Sequence, residues 1–464
     1  MRIGVWAIAA LLGGIIAARW LTGPFTFLGI PVNVPLNPEG IFALLITALL
    51  ATTVRTEPRA SVSGRAPQLL AAALALTALY PALQTYFLSD DFILVKQAHD
   101  FTTSTLIPLF TTPGGDGFFR PLGYLSFDLN AFFAGSDPRW WHLSALLLHA
   151  LNAALVAKLA TRLGASNFIA FLAGALFALH GTHLEAVVWI AGRFDLLAVL
   201  FMLATLLLFG RNTPAARLCA LTALWSKEAA YVLPALLTLL AWHERKSLRA
   251  TLPFWAITAA AFLYRWILLG GIGGYQESSG ESAFYSLKFA TTAKAVFVRL
   301  WTSLYFPLNW SHDPSLLTGL IACAYIGALL WLALRARPSP TMRLALAALV
   351  VSILPPLHLL GGAADLSGGR LLYLPSVWFC LLVAFAVSGL NRRNATIVTA
   401  LLLTFHFAAL RHDLPFWQRA SEQVRAICQE AVQTGVRPTD PPRAIEGVPA
   451  LANGIDECIE AAPR

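Results

Sequence analysis

Charged residues are scarce: Asp, Glu, Lys and Arg together make up 12% of the 464 residues, about half the share usual in soluble domains. With 57% hydrophobic residues and a mean hydropathy of +0.66, this excludes a water-soluble enzyme and a disordered chain. Five cysteines are too few for a disulfide framework, and Cys219, Cys323 and Cys380 sit inside apolar runs, as small core residues do. Cys428 and Cys458 lie in a polar segment and are expected to pair if that segment faces an oxidising compartment. No tandem repeat and no low-complexity tract interrupts the chain. An acidic excess is also missing: the net charge is +9 and the pI about 9.5. In a chain this apolar, such a charge describes membrane-flanking loops, and no nucleic-acid partner is expected.

What is present is a succession of apolar runs long enough to cross a hydrocarbon core of about 30 Å, such as Gln68 to Leu88, Leu316 to Leu334 and Leu371 to Leu390. The fold class expected is an all-α polytopic membrane protein of about 13 transmembrane helices. They fall near 3–20, 41–54, 68–88, 140–160, 168–180, 195–209, 215–226, 229–242, 252–270, 316–334, 343–360, 371–390 and 394–410. With the N-terminus inside, sixteen lysines and arginines from Arg2 to Arg393 fall in cytoplasmic connections beside only two acids, Glu57 and Glu244. That asymmetry is the one the positive-inside rule requires. The expected domains are a membrane domain, 1–411, and a short extracytoplasmic tail, 412–464. Two stretches resist this map: 214–243 must cross twice although each half is short, and 293–310 reads as interfacial or re-entrant.

Ionisable residues beside the spans are lopsided. Asp90, Asp91, Arg120, Glu185, Arg193, Asp195, Lys227, Glu228, Asp365 and Arg370 all map to the outer face. A charge in hydrocarbon costs at least about 2.5 kcal/mol, so such residues ask for partners or a cavity. Ser89-Asp90-Asp91 follows a span directly; either acid can serve as a general base for a water-borne hydroxyl, or both can cap a helix end. Arg120 in Phe119-Arg120-Pro121-Leu122 can hold a phosphate by paired hydrogen bonds or pair with Asp116. His180-Gly181-Thr182-His183-Leu184-Glu185 raises a metal site, but its spacing matches no ligand signature; a polar cavity wall is expected, with His142 and His149 as core histidines. Gly192-Arg193-Phe194-Asp195 and Ser226-Lys227-Glu228 read equally as ion pairs or as substrate contacts. Arg265, inside its span, either snorkels or binds a lipid phosphate. Trp140, Trp141, Trp189, Trp301 and Trp310 read as interfacial belts.

Taken in order, the blocks around Ser89-Asp90-Asp91, Phe119 to Asn130, His142-Leu143, Leu147 to Ala150, Phe177 to Val187, Gly192 to Leu197, Ser226-Lys227-Glu228 and Arg370 to Ser376 resemble the transmembrane O-mannosyltransferases with tetratricopeptide repeats and their bacterial relatives. The resemblance implies the GT-C superfamily, whose members transfer a sugar from a polyprenyl-phosphate carrier on the outer side of the membrane. It implies Asp90 or Asp91 as catalytic base and Arg120, Arg193, Arg370 and Lys227 as donor-phosphate ligands. It further implies His183, Glu185, Asp195 and Glu228 around the cavity that takes the acceptor. No metal ligands are assigned and no cofactor is certain, although a divalent cation stays open. Two positions depart from the pattern: Gly181 where proline is usual, and Gly369 where an acid commonly precedes the arginine. The segment after Arg411 is also short for a repeat array, at about 34 residues per unit. The expectation is a membrane hexosyltransferase, inverting at the sugar, with a protein or glycan acceptor. It would reside in a bacterial inner membrane with its active site and C-terminus in the periplasm. The alternative reading is a transporter or flippase for a lipid-linked or anionic substrate.

Overall fold

The computed structural model describes residues 64–113, 117–274, 289–309, 314–336, 338–357, 359–360 and 368–434, together with 25–27 and 30–32. The helices used below are α1 (Ala66–Leu79), α2 (Asp91–His99), α3 (Pro121–Ala134), α4 (Pro138–Arg162), α5 (Asn167–Ala178), α6 (Leu184–Val188), α7 (Arg193–Leu208) and α8 (Thr213–Leu224). They continue with α9 (Leu233–His243), α10 (Leu252–Leu269), α11 (Leu316–Arg335), α12 (Pro340–Ile353), α13 (Tyr373–Val387) and α14 (Arg392–Thr434). One element departs from the all-α expectation, an antiparallel hairpin of Phe25–Phe27 with Ile30–Val32.

Local sequence sets several of these starts. Asp137 accepts from the backbone N–H of Arg139 and Pro138 opens α4; Asn212 caps α8 ahead of Pro214; Ser339 caps α12 ahead of Pro340. In each case a side-chain oxygen takes a first-turn donor while proline occupies a position that needs none.

Seven described helices are long and apolar enough to cross a membrane, eight if the bent pair Asn167–Ala178 and Gly181–Val188 counts as one span. Of the thirteen spans expected, 3–20 and 41–54 lie outside the described residues, while those expected at 215–226, 229–242 and 343–360 are helices shorter than a full crossing: α8 has 12 residues, and Glu228–His243 and Pro340–Ile353 are the other two. The short pair still reaches between two polar ends of the bundle. Trp225, just after α8, accepts at its carbonyl from the N–H of Leu122. Glu244, just after α9, binds Arg162 at the far end of α4. From Ser144 to Arg162, eighteen residues of α4 rise roughly 27 Å, close to a hydrocarbon thickness.

The core is built from α1, α4 and α5, with α7, α13 and α14 around them. Gly174 marks a tight point among α1, α4 and α5: a Cβ there would stand 2.8 Å from the Ala153 carbonyl and the Ala71 methyl and 2.9 Å from that of Ala157. Small residues let membrane helices approach in this way where the hydrophobic effect offers no drive.

The segment at 293–310, described as far as Asn309, packs one side into the protein and leaves Phe297 exposed. Its π-helical part, Ala295–Tyr305, buries Leu300, Leu304 and Arg299, and the Arg299 side chain donates to the Leu360 carbonyl at 3.0 Å. The expected boundary at 411 falls inside α14, which runs unbroken to Thr434. Leu414, Trp417, Ala420, Val424, Cys428 and Ala431 recur at three- and four-residue spacing and are buried, giving the segment one apolar face. Cys428 is disulfide-bonded, whereas Cys219, Cys323 and Cys380 are free; Cys458, the partner expected from the sequence, lies outside the described residues.

Candidate active site

The site gathers where α5 breaks. After Leu179 the chain turns by 49° into Gly181–Val188, and the break is stabilised by hydrogen bonds of His180, whose Nε2 donates to the Leu304 carbonyl at 3.0 Å while Nδ1 accepts from Thr182 at 2.8 Å. Both glycines that depart from the resemblance stand here. A Cβ on Gly181 would lie 1.8 Å from the Pro307 carbonyl oxygen, and one on Gly369 would lie 2.7 Å from that of Thr182. They are neighbours in space, and each admits a backbone where a side chain would collide.

Three cations at this end are each held by a carboxylate. Arg120 grips Glu228 with Nη2 at 2.7 Å and Nε at 3.1 Å from Oε2. Lys227 is paired with Asp195, and Arg370 with Glu185. Glu185 also accepts from the Arg370 backbone N–H at 3.0 Å, and the Arg370 guanidinium lies 4.3 Å from the centre of the Trp189 ring. Breaking a buried pair of this kind is strongly destabilising, whereas the intact pair mainly fixes geometry. Here it aims three cationic heads at one space.

That space is a cavity of about 810 Å³, lined by Asp90, Arg120, Lys227 and Arg370 among the aromatic walls of Phe118, Tyr124 and Trp189. The two adjacent acids meet it differently. Asp90 is exposed, and its carboxylate accepts from the Ser89 hydroxyl at 3.2 Å. Asp91 is fully buried, accepting from the backbone N–H groups of Leu88 and Ala191 at 3.0 Å each. Burial pushes the Asp91 carboxyl up to about 8 against those two donors. The left-handed backbone of Ser89, φ 51°, forms the turn just ahead of the pair.

A second cavity, of about 880 Å³, adjoins the first, sharing Phe118, Arg120, Lys227 and Gly274 with it. Its wall is apolar apart from Arg120, Asp195, Lys227, Glu228, Arg265 and a few hydroxyls.

The structure therefore brings Asp90, Arg120, Lys227 and Arg370 to the first cavity, Asp195 and Glu228 to the second, and Glu185 behind Arg370. Arg193 and His183 are not brought there. The Arg193 side chain is buried and donates to the carbonyls of Ser126 at 3.3 Å and Trp141 at 3.1 Å, over the Phe127 ring at 4.7 Å. His183, also buried, is hydrogen-bonded to Ser376 at 2.7 Å and packed against Phe177. Trp189, expected in an interfacial belt, instead lines the cavity and donates to the Leu88 carbonyl at 3.2 Å. Asp116, Asp365 and Trp310 lie outside the described residues. Among the described residues no group of three or more His, Cys, Asp or Glu could hold a metal ion.

No protein-family model and no solved structure matches the chain. Curated relatives do. The chain is 36% identical over 155 residues to Protein O-mannosyl-transferase tmtc2 of Xenopus laevis, a stretch covering 31% of this chain and 18% of the relative. It is 34% identical over 152 residues to Protein O-mannosyl-transferase TMTC2 of Homo sapiens, again 31% of this chain and 18% of the relative. With Protein O-mannosyl-transferase Tmtc2 of Drosophila melanogaster the identity is 44% over 103 residues, 22% of this chain and 11% of the relative. The matched stretches thus span less than a fifth of these relatives.

Proposed function

We propose that the chain is a membrane glycosyltransferase of GT-C type, transferring a hexose, mannose by its similarity to the relatives above, from a polyprenyl-phosphate sugar to a hydroxyl on the extracytoplasmic side. The observation that carries this reading is the polar cavity itself: one exposed carboxylate, Asp90, shares its lining with three cations whose partner carboxylates fix them in place. Phosphate is a competent leaving group once its charge is neutralised, so the reaction needs a base and an anion clamp more than a general acid.

In this reading Asp90 takes the proton of the acceptor hydroxyl as its oxygen attacks the anomeric carbon. The bond from that carbon to the phosphate oxygen breaks on the opposite face, so configuration inverts. Arg370 and Lys227 neutralise the departing phosphate from the polar cavity, and Arg120 does so where the two cavities meet. Glu185, Asp195 and Glu228 hold those cations, Asp91 holds the Asp90 turn, and Arg193 and His183 fix the helices behind it. The apolar cavity suits the isoprenoid chain. The acceptor is a protein or glycan hydroxyl, and the active site and tail lie in the periplasm of a bacterial inner membrane.

Mass analysis of polyprenyl-linked sugars and surface glycans in cells lacking the gene tests this. Accumulation of a polyprenyl-phosphate hexose with loss of one hexose modification is expected. Unchanged modification, with the lipid-linked sugar confined to one leaflet, would contradict transfer and indicate transport.

A further inference from the structure

Arg265 belongs to α10, on a span of which only 17% is buried, yet its own side chain is just 5% exposed. Its Nη1 donates to the Ile272 carbonyl, and its Nη2 stands 3.6 Å from Glu228, longer than a hydrogen bond. Its Nε has no hydrogen-bond partner among the described residues. Glu228 is meanwhile engaged by Arg120 at both oxygens. A guanidinium presents five donors in a planar fork, and leaving a charged donor unmade away from water is costly. The strap beside it is close-packed: Gly274 donates to the Gly117 carbonyl at 2.9 Å, and a Cβ on Gly273 would lie 3.2 Å from Arg265 Nη2. Arg265 is therefore fixed with donor capacity to spare.

The same side chain lines the apolar cavity of about 880 Å³. Among the described residues three cations, Arg120, Lys227 and Arg265, and two carboxylates, Asp195 and Glu228, share that lining, leaving one positive charge over. We propose that Arg265 is the anion ligand of this cavity, holding a phosphodiester that carries a single negative charge and an apolar tail, with the tail along Trp255, Phe262 and Leu374. The proposal deepens the transferase reading and rests on it for the identity of the tail: a polyprenyl-phosphate sugar and a bilayer phospholipid share this chemistry. A diphosphate, with its second charge, is disfavoured.

Native mass spectrometry of the full chain in detergent can measure binding of three probes, a polyprenyl phosphomannose, a polyprenyl diphosphate and phosphatidylglycerol. Wild type should bind the phosphomannose most tightly. Arg265→Gln should weaken that binding at least about tenfold, as expected for losing a charge-assisted pair, and Arg265→Lys should weaken it less. Melting temperature measured beside affinity separates ligand binding from folding: Arg265→Gln should melt near wild type while its affinity falls, and folded Arg265→Lys, which keeps the charge, should recover part of that affinity. Wild-type affinity in folded Arg265→Gln would overturn the proposal, as would equal or tighter binding of the diphosphate. Equal, Arg265-dependent binding of phosphatidylglycerol would uphold the anion site while assigning it to a bilayer lipid, and would count against the transferase reading instead.

Discussion

At the N-terminus of α2, adjacent carboxyls face different surroundings, Asp90 towards the cavity and Asp91 into protein. A base must reach the proton it removes, so accessibility outranks pKa in choosing between them. Asp91→Asn puts an amide N–H₂ against one of two backbone donors, and it should lower thermal stability by roughly 1–3 kcal/mol while leaving turnover per folded molecule near wild type. Thermal unfolding beside a transfer assay normalised to folded protein checks this. Arg370→Lys keeps the charge but gives up the planar fork that binds Glu185 and stacks on Trp189. Donor KM should rise about tenfold with membrane levels unchanged; unaltered KM would make Arg370 a purely structural partner of Glu185. The sequence could bring the acids to the membrane surface but could not rank them, because the ranking depends on the Ala191 N–H a hundred residues away. Arg193 was equally opaque: its block resembles a ligand motif, and only the carbonyls of Ser126 and Trp141 reveal what the side chain binds.

Among the elements, α1, α4 and α5 meet at Gly174, where added volume has nowhere to go. Gly174→Val should destabilise by about 1–3 kcal/mol and lower the yield of folded protein in detergent; wild-type thermal stability would show that the helices can separate without loss. At the opposite end Arg162 caps α7 by donating to the carbonyls of Leu206, Leu207 and Phe209 at 2.6–3.0 Å and binds Glu244 at 2.7 Å. Burial pulls the Glu244 carboxyl upward, but hydrogen bonds from Arg162 and Lys246 outweigh it and bring it to about 2, from an ordinary value of 4.5. A depressed carboxyl contributes stability that is fully present above its unfolded value and is lost as pH falls towards the folded one. Melting temperature should therefore fall between about pH 5 and pH 2, and Glu244→Gln should melt lower at pH 7 with a flatter profile over that window; identical profiles would sever the link. The long spans were legible because apolar runs of crossing length show directly in sequence, and so was the shortness of α8 and α9 within 214–243. The length of α12 was not, since helices packed among others need not satisfy lipid along their whole length.

As a whole, the molecule separates a polar end around Asp90, Arg120 and Arg370 from a second one around Arg162, Glu244 and Lys246, joined by α4. The grouping of ionisable residues at the ends of apolar runs made this division legible, because a charge in hydrocarbon is costly and falls where a span ends. The amphipathic half of α14 was less so: polar composition hid an apolar face that needs Pro81 and Tyr86 opposite it, which Gln418 and Arg425 meet. A cavity at that end was legible in the clustered ionisable residues, but its division into two adjoining ones was not, since their walls come from segments more than two hundred residues apart. The central claim, that the polar cavity carries out glycosyl transfer with Asp90 as base, is tested most directly in proteoliposomes supplied with labelled polyprenyl phosphomannose and a hydroxyl acceptor. Wild type should transfer the label, and Asp90→Asn should lose at least about 100-fold in rate with donor binding and melting temperature unchanged. Transfer at the wild-type rate by Asp90→Asn would contradict it.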